Sequence, residues 1–214
     1  RQAIASDPER SVFVSANAGS GKTRVLTRRI AHVLHEGTSP ENVFAVTFTN
    51  KAAGEMKQRV SSLLNNGASR DLTVGTFHSF CVKALRRYPD RAGIRPGFGI
   101  CDADDQLVAM KQALRELQIP ESSLNPRLCL SQVSLLKNRL TSPDALLESR
   151  DDFEASLGRA YQRYNAGLRV SGVLDFDDLL LYMVRLLQDG KTLASFRRRY
   201  GYILVDEYQD TNGP

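Results

Sequence analysis

Small residues and a lysine–threonine pair come together in Ala16-Asn17-Ala18-Gly19-Ser20-Gly21-Lys22-Thr23, after the apolar run Val12-Phe13-Val14 and before a helical pattern that starts near Arg24. This spacing suits phosphate binding. A triphosphate needs several backbone N–H groups turned inward, and Ala18, Gly19, Ser20 and Gly21 are small enough for the chain to curl that closely. Lys22 can set its ammonium beside the β- and γ-phosphates, Thr23 can offer its hydroxyl to Mg2+, and the following helix points its positive end at the anion. The pattern G-x-x-x-x-G-K-[ST] is met at every fixed position but the first, where Ala16 stands. The loop by itself implies a bound nucleotide and leaves open what the nucleotide is for.

A second chemical signal is Asp206-Glu207, at the end of the apolar run Tyr202-Ile203-Leu204-Val205. One carboxylate at the end of a buried strand can hold Mg2+, and its neighbour can orient and deprotonate an attacking water. With the phosphate loop present, Asp206 is expected to serve the metal and Glu207 to act as the base. GTP specificity is not supported, because the one candidate for an N-K-x-D element, Asn50-Lys51-Ala52-Ala53, lacks the aspartate.

To bring these groups together the chain must form strands and helices in alternation. Strands are expected at Val12 to Val14, Val43 to Thr47 and Leu72 to Val74, with helices from about Ala52 through Leu64 and from the third strand through about Arg87. Repeated units of this kind give a parallel sheet covered by helices on both faces. The loops at Ala16, Thr47 and Gly75 then share its carboxyl edge, where such sheets bind phosphate. From about Tyr88 the pattern changes. After Pro89, Gly93, Pro96 and Gly97 the periodicity is helical over Asp104 to Leu117, Leu128 to Leu140, Asp144 to about Ser149, Asp152 to Ala166 and Asp175 to Leu187. Ser142 reads as an N-cap, with Pro143 and Asp144 in the first turn. The expected fold is therefore α/β, a parallel sheet from residues 1–87 and 197–214 interrupted by an all-helical insert at 88–196. Arg197-Arg198-Arg199 reads as a solvated helix end.

Composition excludes several classes. The chain has 214 residues, 42% hydrophobic and 25% charged, with a net charge of +5 that permits an anionic partner. No apolar stretch approaches the ~20 residues of a membrane span, and the start Arg1-Gln2-Ala3-Ile4 lacks the apolar core of a secretory signal. A cytoplasmic protein without a membrane partner is expected. Cys81, Cys101 and Cys129 are too widely spaced for a zinc site and read as reduced core thiols; His32, His35 and His78 do not stand at metal-ligand spacing with carboxylates.

Five blocks, in order, resemble superfamily 1 DNA helicases of the UvrD/PcrA/Rep type. Ala16 to Thr23 is similar to that family's motif I, VTFTNKAAGEMKQRV from Val46 to Val60 to motif Ia, and GTFHSF from Gly75 to Phe80 to motif Ib. LDFDDLL from Leu174 to Leu180 resembles the end of the family's helical insert, and VDEYQDTN from Val205 to Asn212 its motif II. The resemblance implies a P-loop, RecA-like motor domain with a helical subdomain inserted, using ATP and Mg2+. It further implies 3′ to 5′ movement on single-stranded DNA, or on a duplex with a single-stranded tail, in repair or replication.

On the same resemblance, Phe48 is placed like an aromatic that stacks on a base of single-stranded DNA, with Thr49 and Asn50 beside the backbone; stacking is sequence-tolerant because every base has a π-face. Core packing at a strand end is the alternative for Phe48. Thr76 and His78 match DNA-backbone contacts, with helix capping as the alternative, and Gln209 matches a glutamine that links the nucleotide and DNA sites. The family's adenine-recognising glutamine would fall before residue 1, and its later motifs after Pro214. The chain is thus expected to be the N-terminal part of a motor, to bind Mg-ATP weakly, to hydrolyse it poorly and not to unwind DNA alone. The motor of a helicase–nuclease of the AddA or RecB type carries similar motifs and is an alternative. A nucleotide-binding docking module is another, against which Lys22, Asp206 and Glu207 argue.

Overall fold

A computed structural model of the chain describes residues 11–15, 17, 19–64, 71–211 and 213–214. Within it, strand Val43–Thr47 (β1) has all five residues buried, as an unbroken apolar run requires when both faces of a strand are covered. Its neighbours are parallel on either side. Thr73–Thr76 (β2) pairs with Phe44 opposite Thr73 and Thr47 opposite Thr76, and Tyr202–Val205 (β5) pairs with Val43 opposite Tyr202 and Val46 opposite Val205.

Alternation along β1 sends side chains to two different cores. Val43 and Ala45 join Ile30, Val33, Met56, Val60, Leu72 and Leu204. Phe44 instead stacks on Phe80 at 4.2 Å between centroids and meets Tyr200. Helix Lys22–His35 (α1) contributes Thr27, Ile30 and Val33, and Asn50–Leu64 (α2) contributes Ala53, Met56 and Val60, each at the spacing of one helical face. A mixed helix and strand fold with a parallel sheet is what results.

The contacts divide the chain into two compact units, Arg1–Phe80 with Gly190–Thr211, and Cys81–Asp189 with Asn212–Pro214. The first division falls within helix Phe77–Arg87 (α3) and the second just before Gly190–Arg199 (α10), whose arginines 197 to 199 form an exposed end. Between them run Pro89–Ala92 (α4), Gly99–Ile100 (β3), Ala103–Glu116 (α5), Pro126–Asn138 (α6), Asp144–Leu147 (α7), Asp152–Ser171 (α8), Val173–Leu174 (β4) and Phe176–Gln188 (α9). Asp102, Asn125, Asp151 and Asp175 each accept first-turn N–H groups as N-caps of α5, α6, α8 and α9. The core of this unit joins Met110 and Leu114 of α5, Cys129 and Val133 of α6, and Leu157, Tyr161 and Tyr164 of α8. All three cysteines are buried free thiols, and burial pushes the Cys81 thiol up to about 12.

Four details differ from the sequence reading. Val12 to Val14 form no strand: the three side chains are 39%, 75% and 40% exposed, and an apolar triplet becomes a strand only where a ladder partner and a covering layer take it up. Pro143, not Ser142, is the N-cap of α7, and no side chain caps it; its φ of −58° already lies in the helical range, so the Ser142 carbonyl is left to accept from Ala145. The stretch expected to be helical throughout also holds β3 and β4, a parallel pair of two-residue strands too short to show a period. Helix α8 runs to Ser171, five residues beyond Ala166, and closes on Gly172 in the left-handed region.

A buried ionic cluster ties three helices of the second unit. Lys137 of α6 donates to Asp175 at 2.6 Å and Asp178 at 2.8 Å, and the Tyr164 hydroxyl of α8 donates to Asp175 at 3.0 Å. Burial pulls the Lys137 pKa down, but Asp178 and Asp175 outweigh it and hold the ammonium above its ordinary value. Among the described residues no helix is long and apolar enough to cross a membrane.

Candidate functional site

Gly19 and Gly21 take positive φ values of 75° and 90° on either side of Ser20, conformations that favour glycine. The Ser20 N–H donates to the Asn17 carbonyl at 3.2 Å, closing the turn. Gly21 is the N-cap of α1 and no side chain caps it, so the positive end of the helix faces the loop. Lys22 follows, its ammonium 3.5 Å from the Asn17 carbonyl. Ala18 lies outside the described residues.

The carboxylate pair meets this loop. The Asp206 N–H donates to the Val46 carbonyl at 2.9 Å, which extends the β1 ladder just past β5. The Thr23 hydroxyl donates to the Asp206 carboxylate at 3.4 Å, joining residues 183 positions apart, and the Glu207 N–H donates to its other oxygen at 3.2 Å. Burial, then the neighbouring Glu207 charge, pushes the Asp206 carboxyl above its ordinary range. Glu207 itself has φ 50° and ψ 47°, the left-handed region that a non-glycine residue rarely holds. The Gln209 amide donates to its carboxylate. Lys22, Arg29, Asp206, Glu207, Tyr208 and Gln209 all line one open cleft of about 750 Å3.

At the carboxyl ends of β1 and β2 stands the second predicted group. Phe48 is 37% exposed and packs its ring 5.4 Å from Phe77, centroid to centroid, so it is not a core side chain. Thr49 accepts the Ala52 N–H at 3.1 Å and caps α2, which Asn50 begins on the exposed side. Thr76 accepts the Ser79 N–H at 3.2 Å, while Ser79 accepts the Thr76 N–H at 3.0 Å. The capping alternative for Thr76 is therefore realised, and His78 sits half-buried in the same first turn. A Cβ on Gly75 would lie 2.7 Å from the Ser79 hydroxyl, so glycine there protects the cap.

Sequence reasoning missed Arg29 and Ser79. Arg29 stands seven residues after Lys22 on the same face of α1, a period visible once the helix start is known. Ser79 stands three residues after Thr76, the spacing of a reciprocal cap. Among the described residues no group of three or more His, Cys, Asp or Glu could hold a metal by itself, so any cation here would also need the Thr23 hydroxyl or ligand oxygens.

A family model described as the UvrD/REP helicase N-terminal domain matches residues 1–213. Among curated proteins, the chain is similar to "ATP-dependent DNA helicase PcrA" of Bacillus subtilis, with 43% identity over 204 residues, 94% of this chain and 28% of that relative. The protein of the same name in Staphylococcus aureus is 44% identical over 207 residues, 95% of this chain and 28% of the relative. The chain spans a little over a quarter of the length of these relatives.

Proposed function

The chain belongs to the UvrD/REP helicase family, and from that premise we propose that it is the nucleotide-binding part of an ATP-dependent DNA helicase. Its architecture on this reading is a RecA-like motor domain, residues 1–87 and 197–214, with a helical insert at 88–196. The observation that carries the proposal is the meeting of Thr23 and Asp206 at 3.4 Å, beside a glycine loop whose helix end no side chain caps.

The backbone of Gly19 to Gly21 cradles the phosphates of ATP, and Lys22 sets its charge against the β- and γ-phosphates. The Thr23 hydroxyl and the Asp206 carboxylate fit Mg2+, because both are hard oxygen donors and Asp206 is a buried carboxyl whose ionised form a cation would favour. When bound, the ion neutralises charge on the phosphates. Glu207 accepts the proton of the attacking water, and Gln209 holds the Glu207 carboxylate in place and links it to the DNA site. Phe48 stacks on a base, with Thr49, Asn50, Thr76 and His78 along the strand. The likeness of the five motif blocks to the family supports 3′ to 5′ movement on single-stranded DNA and work in repair or replication.

The test is the ATPase rate of the complete protein with and without single-stranded DNA. Stimulation by DNA that disappears in Lys22→Ala is expected; turnover indifferent to both overturns the reading. Lys22→Ala removes a charge-assisted hydrogen bond of about 1.5–3 kcal/mol, so a Mg-ATP titration should show affinity falling roughly 10- to 100-fold. Phe48→Ala removes base stacking of about 1–3 kcal/mol. It should weaken single-stranded DNA binding in an anisotropy titration by at least about fivefold and leave Mg-ATP affinity unchanged.

A further inference from the structure

We propose that Phe77, the first residue of α3, is a positioning residue for the DNA site, its ring holding Phe48 in the orientation that stacks on a base. The proposal rests on the helicase reading above, in which Phe48 meets single-stranded DNA. Strand pairing brings the two rings together. Thr47 lies opposite Thr76 at the last step of the β1–β2 register, and Phe48 and Phe77 are the residues that follow them. The ring centroids are 5.4 Å apart and the planes are inclined at 57°.

Core packing does not account for this pair. The rings of Phe44, Phe80, Phe196 and Tyr200 form a group of their own, in which Phe44 and Phe80 stack at 4.2 Å. Among the described residues the ring that meets Phe48 is that of Phe77. Phe77 is half-buried, whereas Phe48 keeps 37% of its surface exposed. The contact therefore braces Phe48 and leaves part of it open to a base.

A brace matters because of what a free ring loses. An exposed phenylalanine turns about two side-chain torsions, and a base that stacks on it must stop that motion. An aromatic neighbour in a tilted arrangement restricts the ring beforehand and favours one orientation. Phe77 can act as the fixed partner because its backbone is tied down on both sides: the Ser79 N–H donates to the Thr76 hydroxyl at 3.2 Å, and the Thr76 N–H donates to the Ser79 hydroxyl at 3.0 Å. The backbone around Phe48 is likewise held, by the buried Thr47 before it and the Thr49 cap after it. The side-chain torsions of Phe48 are the freedom left for Phe77 to restrict.

The experiment measures dissociation constants of the complete protein for a single-stranded oligonucleotide by anisotropy and for Mg-ATP by titration, at a salt concentration low enough for every variant to bind DNA measurably. The variants are Phe77→Leu and Phe77→Met, which keep apolar bulk without a ring, Phe77→Tyr, which keeps the ring, Phe48→Ala, and Phe48→Ala combined with Phe77→Leu. Loss of the ring should weaken single-strand binding about 2- to 10-fold. Phe77→Tyr should bind within about twofold of the parent, and Mg-ATP affinity should hold throughout. In the Phe48→Ala background, Phe77→Leu should change single-strand affinity by less than about twofold, since a residue that acts through Phe48 has nothing left to act on. An equal loss in both backgrounds means that Phe77 grips DNA itself, and overturns the positioning role. So does single-strand affinity that is unchanged or raised without the ring, or that tyrosine fails to restore. Mg-ATP affinity lost in both Phe77→Leu and Phe77→Met makes Phe77 a residue of the fold and overturns the role too. All of these outcomes leave the proposed function standing. Phe48→Ala binding like the parent overturns base stacking by Phe48 and the role of Phe77 with it, and failure of the unsubstituted protein to bind the oligonucleotide overturns the proposed function as well.

Discussion

Glu207→Gln in the complete protein is expected to cut ATP turnover by about 10²- to 10⁴-fold, the usual contribution of a positioned general base, while Mg-ATP binding stays within a few-fold of the original. The substitution isolates proton acceptance. Glutamine has the shape of glutamate and can still accept a hydrogen bond from Gln209 through its amide oxygen, so the contact that orients residue 207 survives. The Glu207 backbone sits in the left-handed region, and holding a non-glycine residue there costs about 1–3 kcal/mol. That cost is repeated in the variant and cannot masquerade as a catalytic effect. Asp206 keeps its bonds to the Thr23 hydroxyl and the backbone N–H of residue 207, so the proposed metal ligands are untouched. Single-turnover hydrolysis beside a Mg-ATP titration separates the two quantities. Turnover equal to that of the parent removes Glu207 as the base; a parallel loss of binding and turnover makes it a ligand-holding group instead.

The parts of this site that were legible in the sequence are those where local chemistry and tertiary structure demand the same residue. Gly19 and Gly21 were readable because a left-handed loop and a close phosphate both select glycine. Strands β1 and β5 were readable to the residue because each is an apolar run followed by a change of character. Val12 to Val14 have the same composition and form no strand, since composition reports what a segment could bury and not whether a partner takes it up. The roles of Thr49, Thr76 and Ser79 as caps depend on a spacing of three residues across a strand-to-helix turn, and that turn could be located only to within a few residues. The meeting of Thr23 with Asp206 was inferable only by assuming that both ends of the chain serve one nucleotide. The folded chain brings them together through the pairing of β1 with β5.

The lysine at 137 went unread, although its position carried a signal. Cys129, Val133 and Lys137 lie at successive four-residue steps on the buried face of α6, and a lysine in phase with an apolar stripe calls for buried acids. Asp175 and Asp178 of the LDFDDLL block supply them. Lys137→Met should therefore lower stability by about 3–5 kcal/mol, because it strands two carboxylates in the core without a cation. In thermal melts that corresponds to a fall of roughly 6–20 °C in the midpoint of the cooperative unit concerned. The pH dependence distinguishes a lost ion pair from lost packing. In the parent protein the Lys137 pKa is raised on folding, so its contribution is complete below the ordinary lysine value of about 10.4 and is lost only as pH rises through the folded value. Burial already pushes the Asp178 carboxyl above its ordinary range, against the pull of Lys137; without that cation its folded pKa rises further, and stability is recovered as pH falls toward about 4. A deficit that narrows on acidification is the signature of the stranded acids. A deficit of the same size at pH 5 and pH 8 would mean that Lys137 acts through its packed methylene stem, and that the carboxylates do not depend on its charge.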